Sequence, residues 1–399
     1  MENILDYIKK ANKTLAEQPL NAVDSLILAW LSYWQLPEQI KLNGEEVGRS
    51  AAIASGKATL GLFAKEKYTG NPFCSLAQQS YAADFLRALA KSRRFSKIIV
   101  SDYIEELNPA AEKQFAAFAF RLSPNLLYVG FRGTDGSFVG WKEDFNMTYM
   151  SPIPAQGRAR EFLAGVAAET NGELLVGGHS KGGNLAVYAA ATVAPAVQQR
   201  IKRVYSHDGP GFLPEFCQSP GFVAIENKIE KILPQTSIIG MLLNSGEQYR
   251  VVKSDGFGIM QHDPFTWQVS DGDFIWLEDI SKEAKFVDDT LTGWLQTISV
   301  ADRERFIDCL YALLINNTEA DSIEEFKADW KTNIPAVLQS TVHLDELTKK
   351  FLLNTVKALA VLGVKNLPLY FSTPARLEER INRLKEHWQK HIGNFLAKM

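Results

Sequence analysis

The stretch ELLVGGHSKGGNLAVYAA, residues 173–190, most constrains what this chain can fold into. An apolar run ends in Gly177-Gly178-His179-Ser180-Lys181-Gly182-Gly183 and passes directly into an alanine-rich segment. The run reads as a buried strand and the continuation as a helix. Gly178-His179-Ser180-Lys181-Gly182 fits the G-x-S-x-G pattern, in which a serine nucleophile stands on a strained strand-to-helix elbow. A β-carbon on either glycine neighbour would crowd such a turn. A purely structural strand-to-helix connection would use the same glycines, so the rest of the chain has to separate the two.

The neighbouring sequence repeats the alternation. SKIIVSDYI predicts a short strand, and QFAAFAFRL and LLYVGFRG flank the turn tripeptide Ser123-Pro124-Asn125 as a hairpin. PAQGRAREFLAGVAAET predicts an amphipathic helix before the elbow strand, and IKRVYSHDG a strand after the elbow helix. Alternation of this kind predicts an α/β fold, a largely parallel sheet with helices on both faces. Residues 1–74 read as a mostly helical N-terminal segment packed on a core of residues 75–280. Within that segment, NAVDSLILAWLSYWQL has apolar residues at helical spacing, with Asn21 or Asp24 as its cap. A further helix, from SLAQQ to SRRF, is expected to bury Leu76, Phe85, Leu86 and Leu89. Beyond Leu277 the strand signal fades, and residues 281–399 read as a helical C-terminal extension, with Ser322 and Glu325 in capping-box spacing and Thr373-Pro374 opening the last helix.

Composition narrows the function classes. At 399 residues, 46% hydrophobic and 22% charged, the chain is of ordinary soluble globular type. A net charge of −3 supplies no broad basic footprint, so nucleic acid is not an expected partner. Three widely separated cysteines, Cys74, Cys217 and Cys309, suit a reducing compartment better than a disulfide framework. The N-terminus lacks the apolar core of a signal peptide, and SLILAWLSYW and ALAVLG are too short to span a bilayer. A cytoplasmic protein is expected.

An oxyanion hole needs one donor from the residue after the nucleophile, here the Lys181 N–H, and one from an earlier strand-to-helix loop. Thr134, directly after Phe131-Arg132-Gly133, is placed to supply the second through its N–H, with its hydroxyl as a helper; a simple helix cap would use the same residue. Arg132 and Asp144 are expected to brace this loop as an ion pair. The Lys181 side chain is expected to point to solvent or to steer an anionic substrate.

FRGT, GWKEDF and GGHSKGG, in that order, resemble the fungal-type (class 3) triacylglycerol lipases over residues 114–267, about two-fifths of the chain. GHSKGGNLAVYAA, HDGPGF and GWKEDFNM more closely resemble a bacterial branch of lipase-like proteins of largely unknown function, across most of the chain. The resemblance implies an α/β-hydrolase fold and lipid-like or acyl ester substrates.

A serine hydroxyl needs a histidine to take its proton, and the histidine needs an orienting carboxylate; in this fold they follow in the order Ser, acid, His. Of six histidines, His179 adjoins the nucleophile and His207 comes too early, while His343, His387 and His391 fall in the extension. His387 and His391, one helical turn apart, are read as a solvated face and not as metal ligands. His262 remains as general base, in a loop between Gly256-Phe257-Gly258 and Pro264, with Trp267 matching an aromatic residue that follows the histidine of fungal-type lipases. The acid departs from that pattern, because the corresponding stretch LPQTSIIGMLL offers Thr236-Ser237 and no carboxylate. Asp208, at the end of the strand after the elbow helix, is the first choice and Asp255 the second; Asp263 would point away from an inward-pointing His262.

Ser180, His262 and Asp208, with the Thr134 and Lys181 N–H groups, predict a serine hydrolase acting on esters or thioesters through an acyl-enzyme. No metal or cofactor is implied. Two other classes remain: a lipase fold retired from catalysis, with the helical extension as a partner or membrane surface, and an acyltransferase using the same serine.

Overall fold

Apolar and β-branched runs separated by amphipathic helices generate one central sheet. The computed structural model describes residues 2–66, 72–74, 81–243, 247–256 and 258–316, with isolated positions as far as 355. The sheet has eight strands: β1 (Ile99–Asn108), β2 (Lys113–Ser123), β3 (Leu126–Phe131), β4 (Glu173–His179), β5 (Ile201–His207), β6 (Ile229–Pro234), β7 (Tyr249–Val252) and β8 (Trp276–Leu277). Each strand lies beside its sequence neighbours, so the order across the sheet is the order along the chain. Strands β3 to β7 run parallel, while β1, β2 and β8 are antiparallel additions at the edges. The expected hairpin across Ser123-Pro124-Asn125 is the β2–β3 pair, and the expected α/β fold, a largely parallel sheet with helices on both faces, is the one observed.

Parallel strands need cover on both faces. Strand β4 accordingly reads as continuous apolar residues, and its side chains divide between two layers: Leu175 packs in one, Leu174 and Val176 in the other. The first layer is roofed by α1 (Ile4–Lys10), α2 (Ala22–Leu31) and α3 (Ala82–Lys91), the second by α5 (Pro154–Ala168) and α6 (Lys181–Thr192). Between β3 and α5 lies α4 (Phe138–Asn146), started by the Ser137 side chain accepting from Gly140 N–H. Helix α2 is buried along its whole length. Both of its cap candidates are used, since Asn21 accepts from Asp24 N–H while the Asp24 carboxylate accepts from Asn21 N–H. The same carboxylate meets the buried Arg94 guanidinium at 2.5 Å, which compensates a charge otherwise costly to bury.

The N-terminal segment is less helical than its sequence suggests. Gln39–Leu42 and Glu45–Gly48 form a small hairpin, and the residues between them, Asn43 and Gly44, have φ of 55° and 92°. Asn-Gly is the pair that tolerates left-handed backbone at both turn positions, so the signal was present in the sequence. Leu76, His343, Ser322 of the expected capping box and the segments expected as helices around His387 and His391 lie outside the described residues.

Contacts divide the chain into two units, Met1–Ser281 with Ser322–Glu324, and Lys282–Asp321 with Glu325–Met399. The second contains α7 (Lys282–Thr297) and α8 (Val300–Ile315). No helix among the described residues is long and apolar enough to cross a membrane.

Candidate active site

Because the parallel strands keep chain order, their C-terminal ends form a row. Thr134 follows β3, Ser180 follows β4, Asp208 follows β5, Ser237 follows β6, and His262 lies in the loop after β7. This is the rim where open α/β sheets bind ligands.

Ser180 has φ 59° and ψ −135°, a conformation L-residues adopt at a cost of about 1–3 kcal/mol. Its neighbours hold it there. Ser180 N–H donates to His207 O at 2.9 Å, and Gly183 N–H donates to Ser180 O at 2.9 Å. A β-carbon on Gly178 would overlap the Gly182 carbonyl, and one on Gly182 the Phe131 carbonyl, so the strand ends and the elbow close on one another only with glycine at both places. Lys181 opens α6, where the first amides have no partner within the helix. A β-carbon on Gly133 would stand 3.0 Å from the Ser180 β-carbon, which fixes the Thr134 loop against the elbow. The Thr134 hydroxyl donates to Asp144 Oδ2 at 2.5 Å, so in this arrangement its proton is engaged and the backbone N–H is the donor left to the loop.

His262 and Asp208 meet: Nδ1 lies 2.6 Å from Asp208 Oδ2. Asp208 is 1% exposed, with φ 50°, a left-handed conformation that aspartate tolerates. Its other oxygen accepts the Ser237 hydroxyl and, at 3.2 Å, Gly240 N–H. The segment after β6 thus supplies a donor, the Ser237 hydroxyl, to the Asp208 carboxylate at the end of the preceding strand. With the proton assigned to Nδ1 toward the carboxylate, His262 keeps Nε2 as its basic nitrogen. Asp255 accepts instead from the Gln268 side-chain amide. Asp263 accepts from Phe265 N–H within its own turn, and burial pushes its carboxyl up to about 6.

Sequence reasoning overlooked how His179 is used. Its Nε2 lies 2.8 Å from the His262 carbonyl, which can only accept, so Nε2 carries the proton. Its Nδ1 then accepts from Tyr33 hydroxyl at 3.2 Å, and the two histidine rings lie 4.5 Å apart. Burial, reinforced by the neighbouring His262, holds the His179 pKa well below the ordinary histidine range. His207 sits under the sheet end with Nε2 2.9 Å from Ser25 Oγ, and burial lowers its pKa to about 3.

Two expectations about the loop are corrected. Arg132 pairs with Glu105 at 2.6 Å and lies 3.8 Å from Asp135, not with Asp144, whose carboxylate is turned to Thr134. Lys181 neither reaches solvent nor faces a substrate, because its ammonium is fully buried 2.8 Å from Glu143. A helix N-terminus packed against a neighbouring helix leaves no route outward for that side chain. Among the described residues no group of three or more His, Cys, Asp or Glu is arranged to hold a metal ion.

Solved structures similar to the chain include lipases, at low identity. Rhizomucor miehei lipase in its propeptide complex is 17% identical with a TM-score of 0.32, over 45% of this chain and 62% of the lipase. M37 lipase is 13% identical (TM-score 0.35; 56% and 69% covered), and Lip2 lipase of Yarrowia lipolytica 11% identical (TM-score 0.31; 57% and 75% covered). The chain thus spans about three-fifths of the Rhizomucor lipase's length. No curated protein matches it. A family model matches residues 89–312, more than half of the sequence, and the chain belongs to the Mbeg1-like family.

Proposed function

We propose that this protein is a serine hydrolase that cleaves carboxylic esters or thioesters through an acyl-enzyme. The observation that carries the reading is the 2.6 Å contact of His262 Nδ1 with the buried Asp208 carboxylate, in the same row of strand ends as the strained Ser180. His262 Nε2 takes the Ser180 proton as Oγ attacks the acyl carbon, and the Thr134 and Lys181 N–H groups receive the developing oxyanion. Collapse breaks the acyl–oxygen or acyl–sulfur bond, and the leaving group takes the proton from His262. Water, deprotonated by the same nitrogen, then releases the acid and restores Ser180. Lipid-like acyl groups are proposed on the family resemblance, catalysis is assigned to residues 75–280, and a cytoplasmic setting rests on the sparse, odd cysteine count.

The test is covalent labelling by a fluorophosphonate, with the modified residue located by mass spectrometry. Label on Ser180 that is lost in His262→Ala is expected. A wild-type protein that stays unlabelled, with and without detergent, would leave the lipase fold serving as a binding module.

A further inference from the structure

The Lys181 ammonium lies in a fully enclosed site that the reaction above does not use. Its three protons have three acceptors: Glu143 Oε2 at 2.8 Å, Gln114 Oε1 at 2.8 Å and Gln114 O at 3.1 Å. Glu143 is equally enclosed and is satisfied further by Ala155 N–H on Oε1 at 2.8 Å and Gln114 N–H on Oε2 at 3.2 Å. An ion pair this deep is a poor source of stability, because desolvating both charges offsets most of their attraction and an apolar pair of similar volume is commonly as stable. Its value has to be sought in what it fixes.

It fixes the two halves of the oxyanion hole. Lys181 is the residue whose N–H adjoins the nucleophile, and Glu143 is on α4, the helix that follows the Thr134 loop. The next residue of α4, Asp144, holds the Thr134 hydroxyl. Consecutive acids of one helix therefore hold the two residues whose amides must converge on one oxygen. Gln114 on β2 and Ala155 at the start of α5 anchor the same carboxylate, so α4 is tied to the sheet as well as to the elbow. An amide that stabilises an oxyanion has to be set before the reaction, since reorienting it during the reaction would forfeit the gain.

We infer that Glu143 and Lys181 form a positioning pair that sets the spacing of the Thr134 and Lys181 amides. Neither side chain touches substrate, and the inference rests on the hydrolase reading.

The experiment compares wild type with Lys181→Met/Glu143→Gln, a neutral pair of similar volume, by thermal melting, by kcat and KM on p-nitrophenyl butyrate, and by inhibition with a trifluoromethyl ketone that mimics the tetrahedral intermediate. A folded double variant is expected to lose about ten- to a hundredfold in kcat, part of what deleting a whole donor costs. KM should stay within about twofold, and ketone affinity should fall in step with kcat/KM. A folded double variant with wild-type kcat and ketone affinity overturns the inference, as does a loss confined to KM. Glu143→Asp, which keeps the charge opposite Lys181 but draws the carboxylate back by one methylene, supplies the comparison where the double variant does not fold, with a fall in kcat and ketone affinity expected and wild-type values overturning the inference. Failure of the parent reading shows separately, as wild type that fluorophosphonate does not label, and it removes this inference with it.

Discussion

His179 Nε2 donates to the main-chain carbonyl of His262 at 2.8 Å, so the residue before the candidate nucleophile holds the backbone of the candidate base. The contact joins residues 83 apart in sequence, and Tyr33 in turn fixes the His179 ring from the N-terminal segment. His179→Leu removes the donor and the aromatic contact together. A shift of about 1 Å in a positioned catalytic group costs on the order of a hundredfold. Fluorophosphonate labelling of His179→Leu is expected to slow by ten- to a hundredfold, measured as a pseudo-first-order rate on protein whose circular dichroism matches wild type.

The two candidate acids give opposite outcomes. Asp208→Asn keeps the shape beside His262 but reverses the tautomer preference of the ring, and in triads of this kind that costs about 10⁴ in kcat. Asp255→Asn alters only the contact with Gln268 and is expected to leave activity within about twofold. Esterase assays on the two variants side by side decide between the acids, and equal losses would count against both assignments.

What the sequence made legible was local. Glycine spacing around Ser180, the strand–helix alternation and the turn at Ser123-Pro124-Asn125 are short-range patterns, and the backbone follows them. Asn43-Gly44 was equally local and simply went unread. Other features depend on what the topology brings together. Nothing near Lys181 announces Glu143, 38 residues earlier, and nothing in Thr236-Ser237 announces a donor to Asp208. A missing carboxylate is visible in sequence; the hydroxyl that serves Asp208 is visible only once β5 and β6 lie side by side.

Stability should depend on pH through buried groups of opposite sign. His207, lowered to about 3, stays neutral in the folded state while an unfolded histidine protonates near 6.5. Its contribution is full above pH 6.5 and is lost as pH falls toward 3, at about 1.4 kcal/mol per unit. Asp144 and Asp263, raised to about 6 chiefly by burial, act in reverse: the folded state holds their protons after the unfolded chain has released its own, so stability falls as pH rises from about 4 to 6. His179, also held low by burial, acts in the same sense as His207, so two histidines oppose two acids and wild type should show a shallow net dependence. Urea melts from pH 4 to 7 should show His207→Gln with a slope lower by about 1.4 kcal/mol per unit and Asp263→Asn with a slope higher by a similar amount. Parallel curves for all three proteins would contradict the buried-group account.

Gly133→Ala probes the proposed role of the Thr134 loop without removing a polar group. The new β-carbon would overlap the Tyr33 hydroxyl, lie 2.6 Å from the His179 carbonyl and come within 3.0 Å of the Ser180 β-carbon. Tyr33 cannot simply swing aside, because its ring is 2% exposed and its hydroxyl serves His179. The loop has to retreat instead, and the Thr134 amide moves with it. Overpacking of this kind costs about 1–3 kcal/mol in stability, while withdrawal of one oxyanion donor costs about 10²–10³ in kcat. Activity is therefore expected to fall by more than a hundredfold at a temperature where the variant is still folded. Tyr33→Phe combined with Gly133→Ala removes the worst overlap and should recover part of that loss. Equal activity in the single and double variants would mean that the Tyr33 overlap does not set the position of the Thr134 amide.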